Sequence, residues 1–222
     1  MQRTPSTRAK VVTRRTYNRP TNIEGTRFET WEQTVGRVMN HQRWLWERAL
    51  GRPLDMFERK ELQELADLIR DREVCVSGRT LWMGDTERSK QREATQFNCA
   101  FKRAETVHDV VDLFWLLLNG SGTGFLPTTG HLCGFPRELE IEQIFSTNEP
   151  DYKGRTKNIE TYDDKTRVWT IQIGDDAKCW AKVVGKLLAH PFPKAKKLVI
   201  DSSEIRGAGQ RVQGYGWISV GD

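Results

Sequence analysis

No stretch of this chain is long and apolar enough to cross a bilayer. The longest purely apolar run is Leu113–Leu118, where a spanning helix needs about 20 such residues. Arg3, Arg8, Lys10, Arg14, Arg15 and Arg19 precede the first acid, Glu24, and this basic start lacks the apolar stretch of a secretory signal. Both absences predict a soluble, intracellular protein with no membrane partner. Cysteine is scarce: Cys75, Cys99, Cys133 and Cys179 are the only four, widely spaced and without a C-x-x-C. That argues against a zinc ribbon and against a disulfide scaffold. His131-Leu-Cys133 is the one close His/Cys pair, and with no further ligands nearby no metal site is expected. There is no Gly-Lys-Ser/Thr phosphate loop and no internal repeat.

What is present points to a globular protein. The 222 residues are 37% hydrophobic and 29% charged and include eight tryptophans, enough to bury a sizeable core. A net charge of +5 suits polyanionic partners, nucleotides or nucleic acid. Much of the excess lies in the first nineteen residues.

Residues 1–28, with Pro5, Pro20 and Gly25 among charges, read as a basic arm, either a solubilising tail or a nucleic-acid contact. Residues 29–74 read as a helical layer. Thr30-x-x-Gln33 forms a capping box, after which Trp31, Val35, Val38, Met39 and Leu45 share one face, ending near Gly51-Arg-Pro53. Asp55 then caps a second helix with Leu62, Leu65, Ala66 and Ile69 inward. From residue 75 to 222 the pattern changes to short apolar pieces with glycine punctuation, as for strands and loops. Within that part, Thr106–Leu118 predicts a helix with Val107, Val110, Val111, Phe114, Leu117 and Leu118 as its apolar stripe. Residues 136–167 read as a polar insertion or hairpin. Val168–Ile173 alternates like a half-buried strand, Asp175 or Asp176 caps a helix through Leu188, and Lys197–Asp201 reads as a buried strand.

Chemistry is concentrated in three blocks: Ser77-Gly-Arg-Thr-Leu-Trp-Met-Gly84, Gln96-Phe-Asn-Cys-Ala-Phe101 and Asn119-Gly-Ser-Gly-Thr-Gly-Phe125. Cys99 sits between two phenylalanines, where a small thiol can face a pocket; core packing is the alternative, since free cysteine is usually buried. The 120–125 glycines allow close backbone approach to a ligand, or simply a helix C-cap and tight turn. Arg79 and Arg206, beside glycines, are either phosphate contacts or solvated surface charges.

Together these blocks resemble the adenosylcobalamin-dependent (class II) ribonucleotide reductases, in particular the monomeric ribonucleoside-triphosphate reductases. The resemblance runs in one order through Arg14-Arg-Thr-Tyr-Asn-Arg19, Trp31-Glu-x-Thr-Val-x-Arg37-Val38, Ser77–Trp82, Asn98-Cys99, Gly122-x-Gly124-Phe125, Leu198–Arg206 and Gly214-Tyr-Gly216. It implies an α/β fold, with an N-terminal helical layer and the first part of the family's ten-stranded α/β barrel. It implies Cys99 as one of two reductant thiols, Ser77, Asn98 and Gly122 as substrate contacts, and Thr106 and Val107 beside the specificity-effector site. The implied partners are a ribonucleotide substrate, a deoxynucleotide effector, a thioredoxin-like or dithiol reductant and a complementary C-terminal reductase fragment. The radical cysteine, the second reductant cysteine and the adenosylcobalamin site are implied to lie in that missing C-terminal part. The chain thus reads as an N-terminal portion, inactive alone, that works in the cytoplasm, the host's if the source is a bacteriophage. Two alternatives stand beside this: a large-subunit fragment of an iron-dependent class I reductase, and a basic nucleic-acid-binding accessory protein.

Overall fold

The computed structural model describes residues 4–22, 24–128, 138–209, 212 and 218–221. Contacts divide the chain into two compact units, one running to Phe97 and the other starting at Asn98; the boundary expected at residue 75 falls inside the first.

The first unit opens with helix α1 (Thr7–Thr16) where the sequence suggests an arm. Ser6 caps it, its hydroxyl accepting the Ala9 N–H at 3.2 Å, and Arg14 and Arg15 occupy the last turn, where the helix dipole favours cations. Charge on an exposed helix does not oppose folding, and composition alone missed this. Helix α2 (Trp31–Leu50) starts with the expected Thr30/Gln33 capping box and stops at Gly51, whose φ of 67° a side chain would resist. Helix α3 (Met56–Arg70) begins with the reciprocal Asp55/Glu58 box. The two helices enclose Val35, Val38, Met39, Ala66 and Ile69, joined by Leu81. Instead of strands, residues 78–96 form two short helices, α4 (Gly78–Met83) and α5 (Glu87–Gln91), and a 3-10 turn over Glu93–Gln96.

In the second unit, strand β1 (Cys99–Ala104), helix α6 (Val107–Leu118) and strand β2 (Gly122–Pro127) make a parallel β-α-β unit. A second sheet has the order β3-β6-β5-β4, from β3 (Glu140–Ile144), β4 (Ile159–Asp163), β5 (Val168–Gln172) and β6 (Lys197–Asp201). Helix α7 (Ala177–Ala189), capped by Asp176, crosses from β5 to the parallel β6. Trp169, Ile171, Ile173, Cys179, Val183 and Leu198 form the core between sheet and helix.

Two expectations are refined here. Of the two readings of the polar stretch 136–167, the described part contains the hairpin, β4 with β5, and adds β3, which pairs in parallel with β6. Its polarity reflects edge positions, since every residue of β3 is exposed. On α6 the fully buried residue is Leu113, while Leu117 of the expected stripe is 49% exposed.

Candidate functional site

Cys99 is the first residue of β1, and its side chain is exposed. Burial alternates along β1, with Cys99, Phe101 and Arg103 outward and Ala104 buried on the face that carries α6. Register then decides what the thiol meets. Cys99 pairs with Gly122 and Phe101 with Gly124, and residues paired across parallel strands point to the same side. Across from the sulfur there is therefore bare backbone. A Cβ built on Gly124 would lie 3.3 Å from the Phe101 ring, so that ring rests against the neighbouring strand. A Cβ on Gly122 would meet nothing nearer than the Asn98 carbonyl at 3.6 Å. Internal packing thus does not require a glycine at 122, the residue paired with Cys99. The Asn98 carbonyl accepts the Gly122 N–H at 2.8 Å and ties the starts of the two strands together. The turn before β2 holds Gly120 at φ 90°, as expected of a helix C-cap.

Cys99, Asn98 and Gly122 are thus brought together. Ser77 lies in the other unit, as the N-cap of α4, its hydroxyl accepting the Thr80 N–H at 3.1 Å and lying 2.9 Å from Thr80 Oγ1. The far end of α4 is held by side chains from distant sequence. Arg37 donates to the carbonyls of Leu81 (2.7 Å) and Gly84 (2.6 Å), and Arg19 to that of Trp82 (2.9 Å), its guanidinium over the Trp82 ring. Both arginines are organised by Glu29. Its carboxylate takes two bonds from Arg37 (2.7 and 3.0 Å), one from the Arg19 N–H (3.0 Å) and one from the Thr34 hydroxyl (2.9 Å). Burial would raise the Glu29 carboxyl, but these bonds and the Arg37 charge hold it below its ordinary value. Burial, and then the like charge of Arg37, push the Arg19 guanidinium down to about 10, with Glu29 opposing. Sequence reasoning assigned no role to this cluster, although Arg19 and Arg37 belong to the motifs that carried the resemblance.

Thr106 and Val107 sit at the start of α6. The Thr106 hydroxyl is occupied by its own capping box, donating to Asp109 Oδ2 at 2.8 Å and accepting the Asp109 N–H at 3.2 Å. Lys102 of β1 reaches Asp109 and Asp112 at 2.8 and 2.9 Å, and these bonds push its ammonium up to about 12. Arg206 is not a free phosphate contact: its Nε lies 2.7 Å from Asp175 Oδ2. Of the other cysteines, Cys179 is buried, its thiol raised by that burial, and Cys75 is exposed. Cys133, with His131, lies outside the described residues, as do Gly214, Tyr215 and Gly216 of the last motif. Among the described residues no three His, Cys, Asp or Glu side chains gather to hold a metal, and no helix is long and apolar enough to cross a membrane.

With this geometry in view, residues 2–86 match the ribonucleotide reductase alpha domain. The chain is similar to the ribonucleotide reductases. Over 96% of its length it is 26% identical to a protein of Mycobacterium phage D29 named as an adenosylcobalamin-dependent ribonucleoside-triphosphate reductase, of which it covers 30%. It is likewise 26% identical, over 95% of its length, to the adenosylcobalamin-dependent ribonucleoside-triphosphate reductase of Lactobacillus helveticus, covering 34% of that protein. The fold matches a crystal structure of a B12-dependent (class II) ribonucleotide reductase with a TM-score of 0.70 at 23% identity, over 96% of this chain and 34% of that one. The chain thus spans about a third of the reductases it resembles, and the α/β fold expected from the resemblance is the one observed.

Proposed function

We propose that this chain is the N-terminal, substrate-holding part of an adenosylcobalamin-dependent ribonucleoside-triphosphate reductase, with Cys99 as one of its two reductant thiols. The observation that carries this is the exposed Cys99 sulfur opposite the unobstructed backbone of Gly122. Reductase chemistry needs a thiol that both a sugar and a reductant can reach. Replacing the ribose 2′-hydroxyl by hydrogen takes two electrons and two protons. Two thiols supply them by joining as a disulfide, and the oxygen leaves as water. Gly122 lets the nucleotide lie against the strand, the Phe101 ring walls the site on one side, and Asn98 supplies a polar contact. Val107 and the capped start of α6 border the effector. An external dithiol or thioredoxin-like protein re-reduces the disulfide in the cytoplasm.

Adenosylcobalamin, when bound, supplies the radical that starts the reaction. The described residues do not fit it. Among the described residues, the face around Cys99 presents Phe101, Arg103 and Leu126 beside glycine backbone, and its β1 and β2 positions include no imidazole. The cofactor, the radical cysteine and the second reductant thiol are accordingly assigned to a completing polypeptide.

The test is to assay deoxynucleotide formation with adenosylcobalamin and a dithiol, using this chain alone, the completing fragment alone, and both together. Turnover only in the mixture is expected. Turnover by the lone chain, or none by a mixture shown to associate, overturns the reading. In the mixture, Cys99→Ser is expected to bind nucleotide and to lose multiple turnover; normal cycling would remove the reductant role.

A further inference from the structure

A cleft in the first unit, of about 630 Å³, lies between the C-terminal end of α1, the hairpin loop 20–28 and the start of α2. This is the scale of a nucleotide-sized ligand site. The two sides of the loop are tied together: Pro20 bridges Phe28, the Thr21 N–H bonds the Arg27 carbonyl at 2.9 Å, and Asn22 Oδ1 accepts the N–H groups of Thr26 and Arg27 at 3.1 and 2.9 Å. Arg27 is thereby fixed in place at its backbone.

The lining is unusual in what remains unsatisfied. Its acceptors are occupied from within: both Glu29 oxygens by Arg37, the Arg19 N–H and Thr34, and Gln33 Oε1 by the Thr30 N–H at 2.8 Å. Glu24, the acid on the loop, accepts from Asn22 Nδ2 at 2.6 Å. The groups left over are donors: Gln33 Nε2, the Thr26 hydroxyl proton, and the guanidiniums of Arg14 and Arg27, neither of which has an acidic partner among the described residues. Arg14 lies 5.5 Å over the Phe28 ring. A cation held by its flat face keeps its N–H edge for oxygen ligands. A cleft with occupied acceptors, free donors and two uncompensated cations selects a multiply charged anion rather than a neutral ligand, and the planar guanidinium fork matches phosphate oxygens.

We propose that this cleft binds a polyphosphate group, free or carried by a nucleotide, through Arg14 and Arg27. The proposal stands or falls independently of the reductase reading.

The test is calorimetric titration of the 222-residue chain with sodium tripolyphosphate at low salt. One-site binding is expected, weakened about tenfold by Arg14→Gln or by Arg27→Gln, the worth of one charge-assisted bond, and abolished in the double variant. Arg48→Gln, which removes a guanidinium already paired with Glu93, should bind as the unsubstituted chain does. A nucleoside triphosphate that binds more tightly than tripolyphosphate identifies the carried form, and equal binding the free one. Protection of Arg14 and Arg27 from phenylglyoxal by tripolyphosphate checks the site without any substitution. Absence of binding, variants that bind normally, or binding of single-stranded oligonucleotide with tripolyphosphate inert would each overturn the proposal.

Discussion

Arg37 faces Glu29 through two parallel hydrogen bonds, Nε to Oε1 at 2.7 Å and Nη2 to Oε2 at 3.0 Å, with side chains only 13% and 12% exposed. The pair aims the remaining Arg37 N–H groups at the carbonyls of Leu81 and Gly84, so one buried contact joins the start of α2 to the end of α4. Removing one partner of such a pair leaves the other charged and desolvated, at a cost of about 3–5 kcal/mol. Arg37→Ala is expected to lower stability by that amount in urea unfolding. Arg37→Lys keeps the charge but loses the fork and should recover only part of it; full recovery would mean that charge alone, without bidentate geometry, holds α4.

Acid should find the same contact. The Glu29 carboxyl is held below its ordinary value by the bonds it accepts, against the opposing effect of burial. A carboxyl depressed in the folded state contributes stability above its unfolded pKa, and that contribution is lost as pH falls through the folded one. Melting temperature should therefore decline from about pH 4.5 downward, with a shallower decline in Glu29→Gln. Parallel acid profiles for the two proteins would show that other carboxylates dominate.

Cysteine accessibility is directly measurable. Brief alkylation followed by mass spectrometry should modify Cys75 and Cys99, both exposed, and spare Cys179, which is buried and donates to the Thr156 carbonyl at 3.3 Å. Protection of Cys99 in the folded chain would contradict the strand register on which the proposed site rests.

Two nearby glycines should behave oppositely. Gly120 has φ 90°, and Gly120→Ala is expected to cost about 1 kcal/mol or more through backbone strain. Gly122→Ala makes only an ordinary contact with the Asn98 carbonyl, at 3.6 Å, and should leave the melting temperature nearly unchanged while weakening nucleotide binding in the completed enzyme. Equal binding by Gly122→Ala would remove Gly122 from the substrate contacts.

Gly185 on α7 packs tightly against α6: a Cβ there would lie 2.7 Å from Val111 Cγ2. Gly185→Ala should destabilise the second unit by about 1–3 kcal/mol through overpacking, despite alanine's better helix propensity. Val111→Ala in the same chain should restore part of the loss, and additive effects of the two changes would show that the helices do not touch there.

Helix starts were legible in the sequence because caps are local. Thr30 with Gln33, Asp55 with Glu58, and Thr106 each announce a helix within four residues, and the structure has all three. Helix α4 was not legible: it has six residues and no period to read, and its carbonyls are held by Arg37 and Arg19 from 44 to 63 positions away. Strand β3 looked like a polar insertion because it lies at a sheet edge, and its pairing with β6 is a contact between distant segments.

By itself the sequence determined the local events: where helices are capped, which faces are apolar, that Cys99 lies between aromatics, and that the motifs occur in the order found in reductases. These are readable because each depends on a handful of neighbouring residues. Tertiary structure alone decided that Cys99 faces the backbone of Gly122, that Glu29 unites Arg19 and Arg37 against α4, and that Arg14 and Arg27 line one cleft with no ion-pair partner of their own among the described residues. Strand register and ion pairing between distant segments are set by the packing of the whole unit, and no local pattern encodes them.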